Sequence, residues 1–525
     1  MLGAFVVPGA SRQSAEVTAR VPTSVYQLIS YPARGQVVAP EDRTFVLGQF
    51  GYQSLNDSAL LACFAILESA SVQTTRGVYL WDGTVFTAVT EIPVTENHTG
   101  NHPLAINNRG DAVYTWYSLS GPTRLASYSN GVLSDLVAVG EDIEPGFGVR
   151  ELPAKPTINE RGDIALLVNV DHPNGGETYS IYKYSGGRFE RVIGQGSDAI
   201  GGGRFAMNYG PLPPAWLADN GDILFKAYII GGSYHFMHGL FVVRADGTVE
   251  KIEIRGDPLP VGGEVHLYSL GNGSLNAEGD AVFRVRIEHP AIDSGIFVSS
   301  GGALSTIMYE GQMSPLGGPF LSLYHPTEDD PGGDGAAQND PPLINSRGQV
   351  LFEAEARDVD GTKRFGLFVG TPNCIVKVVA EGDRLPTGGR VIDIAEYSLN
   401  ELGQVVVRVR ESTPEGKPHA IILATPAPPE VASAKVKGSD DATRLLIKGS
   451  GFIINDVVVE IDGHVVGGVG YSAASSSYDG TTRRLIVRGS ELADLLPPGQ
   501  TVEVTVWSLF TGLRSSPFSL SVPSR

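Results

Sequence analysis

The chain has 525 residues with 65 glycines and 34 prolines, which favours one or two large, turn-dense, all-β domains over helices. An apolar share of 42% excludes global disorder, and no run of about 20 apolar residues suggests membrane insertion. The formal net charge of −19 argues against nucleic acid or an anionic membrane as a partner.

The first 23 residues are predicted to be an N-terminal extension. They lack the basic start and the long apolar stretch of an intact secretory signal. Prior removal of a signal stays open, and so does the compartment. Only 18% of residues are charged, which fits an exported protein.

One short pattern returns seven times along the chain. It reads small residue, aliphatic residue, Asn, two variable positions, Gly, Asp or Gln, and then alternating apolar residues. Its period of 51–69 residues is that of one antiparallel sheet rather than one helix pair. The residues at the Asn position are Asn56, Asn107, Asn159, Ala218, Asn276, Asn345 and Asn400.

The Asn-x-x-Gly core of the pattern predicts a tight hairpin turn. The Asn side chain can bond the backbone ahead of it, and Gly accepts a positive φ. Ala218 breaks this pattern in the fourth repeat, and Ser58 and Ala59 break it in the first, so looser turns are expected there. With two further strands per repeat, such as Gly239-Leu-Phe, the sequence predicts a seven-bladed β-propeller over residues 24–425.

The seventh repeat has no outer strand of its own, because a proline-rich segment follows residue 425. Residues 24–30 alternate as the outer strands do and have no other sheet to join. We therefore expect this N-terminal strand to pair with the seventh sheet and to close the ring.

Residues 430–525 contain short alternating strands after the proline-rich boundary. They resemble the IPT/TIG type of immunoglobulin-like domain, a β-sandwich that in bacterial surface proteins is usually a spacer or an interaction module. The repeats resemble the tandem Asn-x-x-Gly-[Asp/Gln]-Val-x-Phe repeats of exported bacterial β-propellers, which implies a fold rather than a reaction. The motifs that carry the first resemblance are Gly449-Ser-Gly-Phe452, Asp462-Gly463 and residues 515–522.

Common motifs for nucleotides, zinc and nucleophilic catalysis are absent from the sequence. On the predicted strand order, every histidine except His464 falls on one propeller face, together with several tyrosines. Two interpretations stay open, namely ordinary surface and packing roles or a polar, aromatic binding face. The candidate binding residues, all near the fourth to sixth repeats, are His235, His238, His266, Tyr268, Tyr324 and His325.

The link that begins at Tyr324 carries an acidic insertion. Such a loop is either simply solvated or a site for Ca²⁺ or another divalent cation, with Asp329, Asp330 and Asp334 as candidate ligands. No other cofactor is expected. Cys63 and Cys374 lie in different repeats and are expected to be free thiols.

Two functions follow as hypotheses. The first is a non-enzymatic extracellular or cell-surface protein whose propeller face binds a carbohydrate or protein partner, since no catalytic motif is present. The second is a carbohydrate-active enzyme, namely a polysaccharide lyase with His and Tyr as base and acid on the same face. No catalytic residue is assigned, and the sequence leaves the oligomeric state open.

Overall fold

The structure is a computed structural model. It describes residues 21–22, 25–31, 37–38, 43–68, 74–93, 104–116, 121–153, 155–207, 214–235, 237–323, 341–414, 416, 418–438, 443–453, 456–467, 469–471, 481–488 and 491–524. Apart from a 3₁₀ turn, Gly232–Tyr234, and a short helix, Leu492–Leu495, the regular elements of these residues are strands. The all-β prediction is confirmed.

The strands described before residue 427 form seven sheets that follow the seven repeats, which we call units one to seven. In each unit the strand after the Asn turn is the second strand, and the third and outer strands follow it. Unit one contains Val37–Val38, Arg43–Gln49, Leu61–Glu68, Thr75–Trp81 and Phe86–Pro93. Unit two contains Leu104–Ile106, Ala112–Trp116, Arg124–Ser129 and Val132–Ala138. Unit three contains Asp142–Glu144, Phe147–Glu151, Thr157–Ile158, Ile164–Asp171, Glu177–Ser185 and Arg188–Gly194.

Units four to seven repeat this order. Unit four contains Arg204–Ala206, Trp216–Leu217, Ile223–Ile230, Met237–Val243 and Val249–Ile254, and unit five contains Glu264–Leu275, Ala281–Glu288, Ser294–Ser300 and Ala303–Tyr309. Unit six contains Gly317–Ser322, Leu343–Ile344, Val350–Asp358, Lys363–Gly370 and Ile375–Ala380. Unit seven contains Val21–Pro22, Tyr26–Ser30, Arg390–Leu399, Val405–Ser412 and His419–Pro426.

The inner edge of the sheets differs from the prediction. Before the short inner strand, a link strand already pairs with the far half of the second strand, as Arg204–Ala206 does in unit four. In units five and seven the link and inner strands merge into one long strand with register shifts. His266, Tyr268 and Tyr397 therefore lie in strands rather than in irregular links, because bulges conceal the strand from an alternation search.

The Asn turns close as expected. The Gly110 N–H donates to the Asn107 carbonyl at 3.1 Å, and Gly110 has a φ of 82°. The two deviating turns are not looser, which corrects the prediction. The Gly221-to-Ala218 bond and the Ala59-to-Asn56 bond both measure 3.0 Å, and Ala59 itself adopts a φ of 59°. Backbone bonds close both turns, the fourth with no Asn at position 218 and the first with Asn56 Oδ1 also accepting two backbone N–H groups, at 3.0 and 2.9 Å.

The Asn side chains tie neighbouring units together. In six seams between units, the Nδ2 atom donates to the backbone oxygen at the Asn position of the next unit, over 2.9–3.4 Å. The bond from Asn400 to Asn56 joins unit seven to unit one, so the series closes into a ring. Between units four and five the bond is missing, because Ala218 has no amide to donate.

The seam between units four and five lacks other bonds as well. In units three, five and seven, a Ser or Thr hydroxyl two positions before the Asn donates to the next unit, as Thr157 does to the Ala215 carbonyl at 2.7 Å. Trp216 holds that position in unit four and cannot replace the bond. Other seams have hydrogen bonds between the Asn turns of adjacent units. The described residues in the turns of units four and five make none of these bonds to each other.

The N-terminal strand joins unit seven as expected. Tyr26–Ser30 pairs antiparallel with His419–Pro426, and Leu28 lies opposite Ala424. Tyr26 and Leu28 are almost fully buried. This strand occupies the outer position of the seventh sheet, so the two ends of the ring share one sheet.

The C-terminal module, residues 430–524, consists of two four-stranded sheets around a separate apolar core. Its Phe510 and Ile453 pack in the same apolar cluster as ring residues, so the module is docked on the ring. Cys63 and Cys374 are free thiols, as expected. The module strands are Glu430–Lys437, Arg444–Ile453, Thr481–Arg488 and Val469–Tyr471, and His464–Val466, Val457–Ile461, Thr501–Ser508 and Phe518–Ser521.

Candidate functional site

At one position of the second strand, the first three units carry an uncharged residue and the last four carry a charged one. It lies five residues after the Gly of the turn, or after Ala59 in unit one. Charged side chains in this half-buried to buried position need a partner or a ligand. Its occupants are Phe64, Thr115 and Leu167 in units one to three, and Lys226, Arg284, Glu353 and Arg408 in units four to seven.

Two of these charged groups have clear structural partners. Arg408 binds both oxygens of Glu396, with Nε and Nη2 at 3.0 and 2.8 Å, and Glu396 also accepts the Phe50 N–H of unit one at 2.9 Å. Arg284 is 2% exposed and donates to the Leu323 carbonyl of unit six at 2.9 Å. Both arginines therefore hold units together.

Lys226 differs from them, because it has no hydrogen-bond or ion-pair partner among the described residues. It is half-buried on the second strand of unit four. Burial, and then the charge of Arg284, lower the pKa of Lys226 to about 8. The ammonium group thus remains mostly charged at neutral pH, although no carboxylate of the described chain neutralises it.

An imidazole and a phenol lie beside this lysine. Tyr228 follows Lys226 by two residues on the same face of the strand, and His238 is directly opposite Tyr228 in the register. The two rings stack, with centroids 4.4 Å apart and planes at 7°. His238 is 6% exposed, and its Nδ1 has no partner among the described residues. Burial, and then the Lys226 charge, lower the pKa of His238 to about 2, so its ring is neutral.

The other predicted site residues are placed as follows. His235 is exposed, and its Nδ1 accepts the Gly231 N–H at 2.7 Å, which caps a turn. His266 is exposed in strand Glu264–Leu275, where the register shifts, and the backbone of Tyr268 belongs to the same strand. Five predicted residues lie outside the described residues: Tyr324, His325, Asp329, Asp330 and Asp334.

A cavity of about 120 Å³ lies along the inner strands and turns of the ring. Trp216 lines it at 4% exposure, and the Tyr52 ring stacks on Trp216 at 6.2 Å and 28°. The Lys155 ammonium lies 3.7 Å from the centre of the Tyr52 ring. The cavity therefore has an aromatic wall, and Lys155 contacts the Tyr52 ring without lining the cavity itself.

Carboxylates in the Asn turns also line this cavity. Asp57, Glu160, Asp219 and Glu401 each accept a backbone N–H from a neighbouring unit, over 2.7–3.1 Å. Burial, and then nearby carboxylates, raise the pKa of Glu160 and Glu401. No group of three His, Cys, Asp or Glu residues in the described chain is arranged to hold a metal ion. These acids serve the ring as hydrogen-bond acceptors.

The site residues predicted from the sequence did not include Lys226, Tyr228 and Trp216. The sequence does mark these residues. When the seven repeats are aligned on their turns, the position that holds Phe, Thr and Leu in the first three repeats holds a lysine in the fourth. The same alignment shows Trp216 in a column of mostly small residues. A repeat consensus records only the common residue type at each aligned position, so it does not show that one unit has a different residue there.

A family model described as a family of unknown function, DUF7453, matches residues 16–322. None of the curated proteins matches the sequence. In the described residues, no helix is long and apolar enough to cross a membrane.

Several solved structures are similar to the chain. The β-propeller domain of the Trilobed protease from Pyrococcus furiosus is 11% identical, with 73% of this chain and 97% of that chain covered and a TM-score of 0.37. The Pyrococcus horikoshii acylaminoacyl peptidase is 10% identical, covering 78% and 57%, with a TM-score of 0.38. The Trypanosoma rangeli sialidase is 9% identical, covering 92% and 87%, with a TM-score of 0.31. Function must be argued from the chain's own side chains.

Proposed function

Since the chain belongs to DUF7453, a family of unknown function, we propose its role from its own geometry: it is a binding protein for an acidic carbohydrate. In this proposal the seven sheets and the closed Asn ring are a seven-bladed β-propeller, and the C-terminal module is an IPT/TIG-like immunoglobulin sandwich. The protein acts outside the cell or at its surface, and the ligand binds where units four and five meet.

The observation that carries the proposal is the unneutralised charge of Lys226. A half-buried ammonium without a counter-ion loses hydration and gains no ion pair, which is costly. Arg284 adds a second positive charge close enough to lower the pKa of Lys226. A carboxylate or sulfate group of a ligand would supply the negative charge that the described chain does not provide there.

The neighbouring groups favour a sugar as the carrier of that charge. The stacked rings of Tyr228 and His238 form an aromatic surface beside the lysine, and sugar faces pack against aromatic rings while polar groups fix their orientation. The seam between units four and five adds to the argument, since Trp216 and Ala218 stand where units three, five and seven have residues that bond one unit to the next.

The test is calorimetric titration with an oligogalacturonate and with a neutral oligosaccharide of the same length. We expect only the acidic sugar to bind, and Lys226→Met to weaken binding at least tenfold. Lys377→Met is the matched control, because Lys377 is already paired with Asp383 at 2.9 Å in unit six. Equal affinity of wild type and Lys226→Met for the acidic sugar would contradict the proposal.

The pH dependence gives a second check. Lys226 is charged below its pKa of about 8 and neutral above it. Affinity for the acidic sugar should therefore fall as the pH rises through 8 in wild type, but not in Lys226→Met. An identical pH profile in both proteins would show that another group controls binding.

A polysaccharide lyase is the second candidate function, and one observation favours it. His238 stacks on Tyr228 beside Lys226, so an imidazole, a phenol and an ammonium group, the residue types that such a lyase uses, are close together. Ultraviolet absorbance of unsaturated uronic products, measured during incubation with uronic-acid polymers, separates the two functions. Growth of that absorbance, abolished by His238→Ala, would establish the enzyme.

A further inference from the structure

We propose that the cavity along the inner strands is a second binding site, and that it takes a small amino alcohol, a short aliphatic ammonium ion that also carries a hydroxyl group. This inference is independent of the acidic-carbohydrate site beside Lys226. It rests on the opposite charge, because carboxylates line the cavity and no cationic side chain of the described residues does.

The cavity lies in the middle of the ring, since residues of all seven units line it. The aliphatic residue directly before the Asn position lines it in every unit, as Leu217 and Ile344 do. These aliphatic side chains are buried in the first six units, and Leu399 of unit seven is half-buried. They form an apolar collar that suits the carbon chain of a ligand.

One aromatic pair reaches across the cavity. Tyr52 belongs to unit one and Trp216 to unit four, which are not neighbours, so their stack at 6.2 Å spans the middle of the ring. The Trp216 indole lines the cavity at 4% exposure, and its Nε1 has no acceptor among the described residues. Because a buried donor without a partner is costly, this N–H favours a ligand that brings an oxygen acceptor. The aromatic faces also attract an organic cation.

Four carboxylates line the cavity at the Asn turns. Each is the residue that follows the Asn position, and each is half-buried, so the carboxylates are more exposed than most of the aliphatic collar. Each accepts a backbone N–H from a neighbouring unit, but a carboxylate has about four acceptor positions, so some remain for a ligand. The four residues are Asp57, Glu160, Asp219 and Glu401.

The negative charge of these carboxylates is not balanced by the cavity lining. Burial, and then the like charges of Asp219 and Asp57, raise the pKa of Glu160, and burial and then Asp57 raise that of Glu401. Arg109 also acts on Glu160, but it is exposed and does not line the cavity. A ligand ammonium would supply the missing positive charge and donate to the carboxylate oxygens. A metal ion is disfavoured, because no three ligating side chains of the described chain are arranged to hold one.

Size completes the ligand class. A volume of about 120 Å³ holds several waters or one short-chain molecule, but not a sugar chain. Trp216 and Asp219 are three residues apart, which is about 10 Å along an extended strand. An ammonium group and a hydroxyl group separated by about four carbons span such a distance together with their hydrogen bonds.

The experiment is NMR of the full chain labelled with ¹⁵N-tryptophan, which has four indole N–H groups. Trp216→Phe and Trp507→Phe assign their resonances. Aminobutanol hydrochloride is titrated against sodium chloride at equal ionic strength, with butylamine as the probe that lacks the oxygen and butanediol as the probe that lacks the charge. We expect a saturable shift of the Trp216 resonance with aminobutanol, at least tenfold weaker affinity for butanediol and at least threefold weaker affinity for butylamine.

Glu160→Gln tests the carboxylates without breaking the ring, because the amide oxygen can still accept the Asn108 N–H. It should weaken aminobutanol binding at least fivefold. Glu381→Gln is the matched control and should keep the wild-type affinity, since Glu381 is also half-buried and accepts the Phe365 N–H at 2.9 Å, but does not line the cavity. The Trp507 resonance should not move, because Trp507 has an Nε1 without a partner in the described chain but does not line the cavity.

Any of four results would overturn the proposal. The first is a Trp216 resonance that does not move with aminobutanol, or that moves no more than the other indoles. The second is equal affinity of aminobutanol and either of the other two probes. The third is equal affinity of Glu160→Gln and Glu381→Gln for aminobutanol. The fourth is a calcium chloride titration that moves the Trp216 resonance and prevents the aminobutanol shift, which would make the cavity a metal site. Lys226→Met should keep the Trp216 shift, so failure of the carbohydrate proposal is distinguishable from failure of this one.

Discussion

Gln349 fastens the C-terminal module to unit six. Its Nε2 donates to the Phe510 carbonyl at 2.7 Å, while its Oε1 accepts from the Asn345 amide at 2.7 Å. In unit two the same position holds Asp111, which also accepts from its turn Asn. An aspartate can therefore replace Gln349 within the turn, but it has no N–H to donate to the module.

Gln349→Asp should thus undock the module without destroying the turn. The substitution leaves the buried Phe510 carbonyl without its donor and places a carboxylate beside it. Leaving such a group unsatisfied costs about 1–3 kcal/mol. At about 2 kcal/mol, the docking equilibrium changes roughly 30-fold toward the undocked state.

Cys374 is a native reporter of docking. Burial, and then Asp456 of the module, raise the pKa of this thiol to about 12, so it reacts slowly while the module is docked. The assay is the rate of alkylation by iodoacetamide, followed by mass spectrometry, with Cys63 silent because it is fully buried. We expect Gln349→Asp to raise the rate severalfold or more, up to the change in the undocked population.

Gln404→Asp is the matched control. It makes the same change in unit seven, where the one acceptor of the Gln404 Nε2 among the described residues is the Thr425 hydroxyl, at 3.4 Å. The Cys374 rate should stay at the wild-type value in this variant. If Gln349→Asp and Gln404→Asp react at the same rate, the amide of Gln349 does not hold the module and the argument fails.

Two further predictions concern stability. Ala218→Asn supplies the missing donor to the Asn276 carbonyl and should stabilise the ring by about 1–2 kcal/mol in thermal melts. Ala218→Asp has a similar shape but no amide donor, so it should not stabilise the ring. Equal gains in the two variants would show that the amide donor does not stabilise the seam. Glu253 is 2% exposed, and burial, then its bond to Asp257, raise its pKa to about 9 from 4.5. The stability that Glu253 contributes is complete below about pH 4.5 and is lost as the pH rises toward 9, by about 1.4 kcal/mol per pH unit. Glu253→Val, which copies Val379 of unit six, should therefore stabilise more at pH 8 than at pH 5, by on the order of 4 kcal/mol. A gain independent of pH would contradict this.

Features set by local chemistry could be predicted from the sequence. The Asn turns follow from side-chain and glycine preferences within a few residues, and the pairing of Tyr26–Ser30 with unit seven follows from counting strands. The link strands could not be predicted, because they leave and rejoin their sheets through register shifts. Tyr397 shows the consequence, since it is 1% exposed within a strand although its surroundings suggested a loop.

The candidate sites were hidden for a different reason. A repeat consensus groups residues that are geometrically similar, and it treated Asp and Gln after the turn glycine as equivalent. They are not, because only the amide of Gln349 donates to the module.

Lys226 and Trp216 were hidden in the same way. At the aligned positions, the other units carry residues that pack in the core or bond the next unit. Bonds between the turns of adjacent units stabilise the ring, so a unit without them is a place to look for a ligand. Unit four gives up the Thr-type and Asn-type bonds at its seam with unit five, and it places an unneutralised lysine and an unpaired indole there. In repeat proteins of this kind, the residues that break the repeat at a buried position are where binding sites should be sought first.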